Sequence, residues 1–434
     1  MQMEYKKIGI WTSTSLVVGN MIGAGVFLMP SALASFGSIS LIGWIFSAIG
    51  AIVIAKIFAN LSQLIPSSDG GPYAFTKAGL GDFAGFLVGW GYLISVWTTN
   101  AAIAVSLVSA LSTFIPILGH STALALAVGL ACLWLLTWVN TLGVFASGRV
   151  QLITTILKIV PVLLVAIGGL LFLDVQNLLP FNTSGTSSWQ AITATTTLTF
   201  FAFLGIECAT IPSSSVEDPG QNISKATMRG VWIAAGVYLL STAAIMGMIP
   251  ASQLQNSITP FADAAEKIYG HGAKYWVSAG VAIAAFGALN GFILVQGQMP
   301  FAMAKDQLFP AFFAKQNKKG VPVNGVIVSS IIITILMCMN QSKNLANQFK
   351  LLILLSTFFT LLPYLFTTIS YLIVRAKKST ENSKSKTFAA ILVSVLAFIF
   401  SMWMMIGAGQ EIVYWGFIML MMGVPFYVYM VYKK

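Results

Sequence analysis

Apolar stretches long enough to cross a lipid bilayer recur along the whole 434-residue chain, and they narrow its possible folds more than any other feature. A helix needs roughly 20 predominantly apolar residues to traverse the hydrocarbon. Windows bounded by Pro, Gly and charge place twelve such spans near 8–34, 40–65, 84–115, 122–140, 149–173, 189–213, 226–249, 273–303, 323–341, 347–375, 387–408 and 411–432. Only 8% of the residues are charged, against about a quarter in a soluble domain, so no water-soluble fold could hide this much apolar surface. In lipid each backbone N–H and C=O must find an internal partner, which a helix supplies by itself. The reading is an all-α polytopic membrane protein.

The connections between spans are short and polar, so residues 1–434 read as one membrane domain. Seventeen of the 23 Lys and Arg fall on one face, from Lys6 and Lys7 through Arg149, Lys225 and Lys378 to Lys434. Only Lys267, Lys274, Lys343 and Lys350 fall on the other. The positive-inside bias then puts both termini in the cytoplasm of a multi-pass protein of the cell inner (plasma) membrane. The net charge of +11 lies in short runs between apolar segments and calls for no nucleic-acid partner. Cys132, Cys208 and Cys338 all lie in apolar segments, which argues for packing rather than a disulfide framework. No metal-ligand spacing appears, His120 and His271 fall in loops, and neither a cofactor nor an enzymatic activity is expected. The N-terminal stretch is too long and glycine-broken for a cleaved signal peptide.

Span 1 carries Gly19-Asn20-Met21-Ile22-Gly23-Ala24-Gly25 at its middle. Three glycines here weaken a helix by about 1 kcal/mol each relative to Ala. Unwound backbone at this depth is tolerated only against protein or a water-lined cavity. Its bare N–H groups and the half-helix start beyond it suit an anionic carboxylate. The competing reading is a continuous helix in which Gly19 and Gly23 form a close-packing face. Span 6 carries Phe201-Ala202-Phe203-Leu204-Gly205-Ile206-Glu207, and Glu207 is the one acidic residue of twelve that falls inside the membrane. A carboxylate there marks a coupling site or a structural hydrogen bond. Two interrupted spans, five apart, match two inverted five-span repeats (about 8–173 and 189–375) followed by two extra helices (about 387–432).

Lys158 is a second ionisable group at mid-span, in span 5. It must pair with an acid, bond carbonyls freed by the span-1 break, or shed its proton, and its role is coupling, gating or purely structural. Lys56, nearer the end of span 2, can snorkel. The other polar or aromatic candidates are Tyr92, Ser95 and Asn100 on span 3, Phe292 on span 8, and Ser356 and Tyr364 on span 10.

At these residues the chain resembles the amino acid–polyamine–organocation superfamily, and within it the bacterial basic amino-acid and polyamine antiporters, the arginine/agmatine antiporters above all. The resemblance runs through Gly19–Phe27, Gly70-Gly71-Pro72-Tyr73, Phe203-Leu204-Gly205 with Glu207, Asp218-Pro219 with Asn222, the run 240–250, Pro260-Phe261-Ala262-Asp263, and Pro363-Tyr364. It implies the five-plus-five inverted-repeat fold, alternating access, and exchange of an amino acid for its decarboxylated amine or another amino acid. It further implies substrate carboxylate on the backbone at Ala24 and Gly25, and the α-amino group near carbonyls of spans 1 and 6 around Ala202. Asn20, Ser95, Asn100 and Ser356 would be polar contacts, Phe201 and Phe292 pocket walls, and Glu207, Lys158, Tyr92 and Tyr364 coupling or gating residues. Two departures bear on the substrate. Phe201 and Phe292 stand where arginine/agmatine antiporters carry tryptophans, and phenylalanine is the weaker cation–π partner. Lys158 stands where those antiporters lack a charge and many other members of the superfamily carry a lysine. The expected partners are a small amino acid or amine and the lipid bilayer, and a homodimer is compatible with both. Against the antiporter stand a proton-coupled permease for neutral amino acids and an amino-acid sensor that does not transport.

Overall fold

The computed structural model describes residues 7–23, 25–66, 68–257, 259–339, 345–378 and 384–433. Among them eleven helices are long and apolar enough to cross a membrane, and a further apolar helix, Val323–Met339, has 17 residues. In chain order the spans are Ile10–Ala34, Ser40–Leu64, Asp82–Leu111, Thr122–Thr141, Val144–Leu170, Ser188–Thr210, Pro219–Met248, Ala273–Lys305, Val323–Met339, Leu345–Lys378, Lys384–Gly407 and Gln410–Tyr432. Besides the single turn Ala251–Leu254, two helices that the hydropathy does not announce lie outside the spans, Pro72–Leu80 and Pro260–Tyr269, each opening on a proline at its first turn, where a missing N–H is harmless.

Spans 1, 2, 5, 6 and 7 gather around one apolar core containing Trp44, Phe58, Phe200 and Tyr238. Spans 3, 8 and 9 build a second core around Tyr92, Leu289, Phe292 and Met303. Span 10 packs along span 3, span 11 lies outside spans 2 and 10, and span 12 closes on spans 3 and 10. Span 5 shows how lipid inverts the usual amphipathic rule. Gln151, Thr154, Thr155 and Lys158 recur at helical spacing on its buried side, while Ile153, Ile156, Leu157, Val160, Leu164 and Ile167 are exposed. Lys56 of span 2 is exposed, as a snorkelling lysine should be.

Both interruptions are present. Span 1 is two helices, Ile10–Met21 and Gly25–Ala34, parted at Ile22 and Gly23. Span 6 begins with a capping box at Ser187 and Gln190 and runs helical to Phe200. It then tightens through Phe201–Phe203, opens over 204–207 with Gly205 at φ +109°, and continues only as short 3₁₀ turns, Cys208–Thr210 and Ser213–Ser215. The sequence reading of an interrupted helical span over 189–213 holds for the break and is corrected in its second half, which is 3₁₀ turns. Thr210 turns both its N–H (2.7 Å) and its hydroxyl (2.6 Å) onto the Glu207 carbonyl, and Pro212 has no N–H to extend an α-helix.

The face that carries the N-terminus is sealed. Ile8 and residues 215–217 exchange backbone hydrogen bonds (2.9 and 3.0 Å), and Gly70 N–H reaches the Ile211 carbonyl at 2.9 Å. Asp69 accepts from Ser214 N–H (2.8 Å) and Ser213 hydroxyl (3.2 Å). Helix Pro72–Leu80 is fastened to the end of span 8, since Tyr73 donates to Asp306 (2.7 Å) and Lys77 pairs with Asp306 (2.8 Å) and Asp82 (3.8 Å). Burial and the Asp306 carboxylate hold the Tyr73 phenol above its ordinary pKa, so it stays a donor. On the opposite face a cleft of about 30 Å³, lined by Phe27, Ser106, Ser109 and Phe261, runs under helix Pro260–Tyr269.

The ion pairs are partly exposed, with side-chain accessibilities of 27% for Lys77 and 39% for Asp306, so each contributes at most about 1 kcal/mol. Lys77→Met is accordingly expected to favour opening of the sealed face by up to about fivefold. The readout is maleimide labelling of the buried Cys208 in a Cys132→Ser, Cys338→Ser background. Labelling at the wild-type rate would show that backbone pairing alone holds the seal.

Candidate functional site

The two breaks meet at Asn20. A Cβ on Gly205 would lie 3.0 Å from the Asn20 Cβ, and one on Gly291 of span 8 would overlap its Oδ1 at 1.9 Å. Glycine is required at both positions, at Gly205 for its left-handed backbone and at Gly291 for space. Spans 1, 6 and 8 thus converge on one carboxamide.

Opening a helix frees carbonyls, and one of those freed in span 1 is answered by Lys158. Its amino group, fully buried, donates to the Gly19 carbonyl at 2.5 Å. No carboxylate of the described residues comes within ion-pair distance of it, so the amino group is fixed on the broken backbone without a counter-ion. Of the outcomes open to Lys158 from sequence, the bond to the freed carbonyl is present and a partner acid is absent among the described residues; that bond is made by the charged and the neutral amine alike.

Glu207 joins three elements. Its Oε1 accepts from the Tyr92 phenol of span 3 and its Oε2 from the Tyr364 phenol of span 10, while its own backbone ends the span-6 break. All three side chains are essentially inaccessible. A carboxylate has acceptors only, so two phenol donors match it without competition. The structure therefore brings Glu207, Tyr92 and Tyr364 together as one joint.

Other expected contacts sit in the same region with their groups already engaged. The Ser95 hydroxyl donates to the Ser356 carbonyl at 3.0 Å and also meets Thr360, and Ser356 meets Thr99, so both serines belong to a hydroxyl seam between spans 3 and 10. The Ala202 carbonyl accepts from Tyr238 of span 7 at 2.8 Å. Asn100 donates to Gln296 at 2.8 Å, and its oxygen has no partner. Phe292 is buried, and Phe201 is half-buried between the two cores. Gly25 opens the second helix of span 1, and Ala24 lies outside the described residues.

The sequence reading passed over Tyr238, Gln151, Asn140, Asn290 and Gln296, all buried and hydrogen-bonded near the breaks. The usable signal was a carboxamide inside an apolar span, where an unpaired one costs several kcal/mol and so requires a partner.

Comparison with known proteins places the whole chain. Residues 8–429 match the family described as amino acid permease. The chain is 33% identical, over 93% of its length and 90% of the other's, to the cadaverine/lysine antiporter of Escherichia coli K12. It is 29% identical to the arginine/ornithine antiporter of Pseudomonas aeruginosa, covering 94% of this chain and 88% of that one. Among solved structures, MhsT in complex with L-phenylalanine superposes with a TM-score of 0.67 over 94% of this chain and 100% of that one. At 14% identity that likeness establishes the fold alone.

Proposed function

Because this chain belongs to the amino acid permease family, we propose that it is a secondary antiporter exchanging a basic amino acid for its decarboxylated amine or for another amino acid by alternating access. The observation that carries this reading is the junction of two broken spans at mid-protein with polar groups left over: the Asn20 amide N–H and the Asn100 amide oxygen, both buried. Discontinuous helices of this kind offer backbone N–H groups to a carboxylate and carbonyls to a cation. In this scheme Gly25 and Ala24 hold the carboxylate, Asn20 and Asn100 add polar contacts, and Phe201 and Phe292 flank the side chain. Ser95, Ser356 and Ala202 line the site through groups now spent on the protein. The joint of Glu207, Tyr92 and Tyr364, with Lys158, gates the cycle. The domain is one unit of two repeats (about 8–173 and 189–375) plus two helices, with both termini in the cytoplasm, so the sealed face is the cytoplasmic one.

The relatives' substrates favour lysine, arginine, ornithine and cadaverine, and agmatine enters through its shared guanidinium chemistry. One observation favours a second reading, proton-coupled uptake of neutral amino acids: Lys158 is a fixed amino group beside the site with no counter-ion among the described residues, and the walls are phenylalanines. Counterflow into proteoliposomes decides. Preloading with lysine, arginine or ornithine should accelerate uptake of the same labelled amino acids and of cadaverine or agmatine. Acceleration only by neutral amino acids, with a pH gradient as driving force, would replace the antiporter with the permease. Binding without flux would leave a sensor.

A further inference from the structure

Three buried carboxamide atoms of the described residues lack a partner, Asn20 Nδ2, Asn100 Oδ1 and Asn140 Oδ1; the two beside the breaks, on Asn20 and Asn100, are opposite in kind, and the structure shows why. A backbone carbonyl can only accept, so any carboxamide whose nitrogen meets one has its orientation set. Asn140 Nδ2 donates to the Leu136 carbonyl (2.9 Å) and to Asn290 Oδ1 (3.1 Å). Asn290 Nδ2 donates to the Ser147 carbonyl (3.0 Å) and to Gln151 Oε1 (3.3 Å). Gln151 Nε2 donates to the Ser15 carbonyl (3.4 Å) and to Asn20 Oδ1 (3.3 Å). Every amide in this file from span 4 through spans 8 and 5 to span 1 donates in the same sense. The last member, Asn20, has its oxygen consumed, and its NH₂ is left without a partner although the residue is only 4% exposed; the weakly accepting Cys208 thiol is its neighbour.

A second, shorter file runs the other way. Gln296 Nε2 is fixed by the Val326 carbonyl (3.1 Å) and Ser330 (2.9 Å), so its oxygen faces Asn100 and takes the Asn100 NH₂. Asn100 is left with a bare oxygen. The first file has an unpartnered oxygen at its Asn140 end and an unpartnered nitrogen at its Asn20 end, with Asn290 and Gln151 satisfied between them, and the second ends on the Asn100 oxygen; a buried polar network imposes one orientation on its last group in this way.

We propose that Gln151 and Gln296 are positioning residues that set the polarity of the substrate site, holding Asn20 as a donor and Asn100 as an acceptor. The inference rests on the amino-acid and amine reading above. The carboxylate is the only hydrogen-bond acceptor on lysine, ornithine or arginine, whereas a protonated diamine has none. A donor at Asn20 therefore distinguishes the amino acid from its decarboxylated amine, and an acceptor at Asn100 serves the distal cation that both share.

Titration calorimetry on the full chain with L-lysine and cadaverine tests this. Gln151→Met keeps the side-chain length and removes the donor that holds the Asn20 oxygen. Lysine binding should weaken about tenfold, as for loss of one hydrogen bond to a charged group, while cadaverine binding stays within about twofold. In an Asn20→Ala background Gln151→Met should leave the lysine-to-cadaverine ratio unchanged. Gln296→Met should weaken both ligands together. Should Gln151→Met fail to give monodisperse protein, Asn290→Leu, which removes the Gln151 anchor, should shift the ratio in the same direction. A ratio unmoved by Gln151→Met, or moved equally in the Asn20→Ala background, overturns the proposal. Wild-type protein that binds no basic amino acid would instead remove the substrate reading. The relay is then decided on L-leucine against isopentylamine, with the same ratio shift expected and an unmoved ratio overturning it.

Discussion

Glu207→Gln is expected to slow exchange by about a hundredfold while the substrate still binds within roughly threefold of wild type. The carboxylate uses one oxygen for Tyr92 and the other for Tyr364. A carboxamide has one oxygen, so one phenol must then accept from the NH₂ and its own O–H is left without an acceptor. Stranding a buried donor costs about 1–3 kcal/mol, and the upper part of that range corresponds to about a hundredfold in rate when the joint has to form in every cycle. Glu207→Leu strands both phenols and should lower thermal stability as well as flux. Counterflow rate and calorimetric affinity, measured on the same preparation, separate the two effects. Adding Tyr92→Phe or Tyr364→Phe to Glu207→Gln should not restore the rate, because the Gln NH₂ then loses the phenol oxygen that accepts from it. A Gln variant that exchanges at the wild-type rate would make the joint structural and move the search for the gate to the terminal face, at Asp69 or Asp82.

Lys158→Met should lose at least about thirtyfold in transport without losing stability. The ammonium is buried with one hydrogen bond and no counter-ion among the described residues. Desolvating a charge costs several kcal/mol, while the carbonyl left behind at Gly19 costs about 1–3 kcal/mol. The balance favours the methionine variant in the static protein, so its melting temperature should match or exceed the wild type. Transport suffers for the opposite reason. The cation holds the broken backbone of span 1 open at the carbonyl that would otherwise re-form helix, and its removal leaves the break without its fixed partner. The pH profile of any residual flux should also flatten if this group exchanges its proton during the cycle. A marked drop in melting temperature with transport intact would reverse the assignment and make Lys158 a structural cation.

Much of this site was legible in one dimension. Glycines at mid-span in Gly19–Gly25 and at Gly205, the acid at Glu207 and the cation at Lys158 each violate what lipid tolerates, and a violation in an apolar span is visible without knowing its partner. The partners were not. Gln151 lies 131 positions from Asn20, Glu207 lies 115 from Tyr92 and 157 from Tyr364, and the Asn100 amide reaches across 196 to Gln296. Such pairings depend on which faces of two helices meet, and an apolar sequence leaves many rotations nearly equal.

The sequence by itself determined that this chain lies in a membrane, where its apolar helices fall, and where two of them break, because hydropathy and glycine's backbone freedom act within a few residues. It also determined the family, through motifs spread over nearly the whole length. Only the tertiary structure decided that the second half of span 6 is 3₁₀ turns rather than helix, that Ser95, Ser356 and the Ala202 carbonyl are already engaged, and that the Asn20 nitrogen and the Asn100 oxygen are left without a protein partner. The reason is the same throughout. A hydrogen-bonding group in lipid must be satisfied, and which neighbour satisfies it is settled by the packing of helices far apart in the chain.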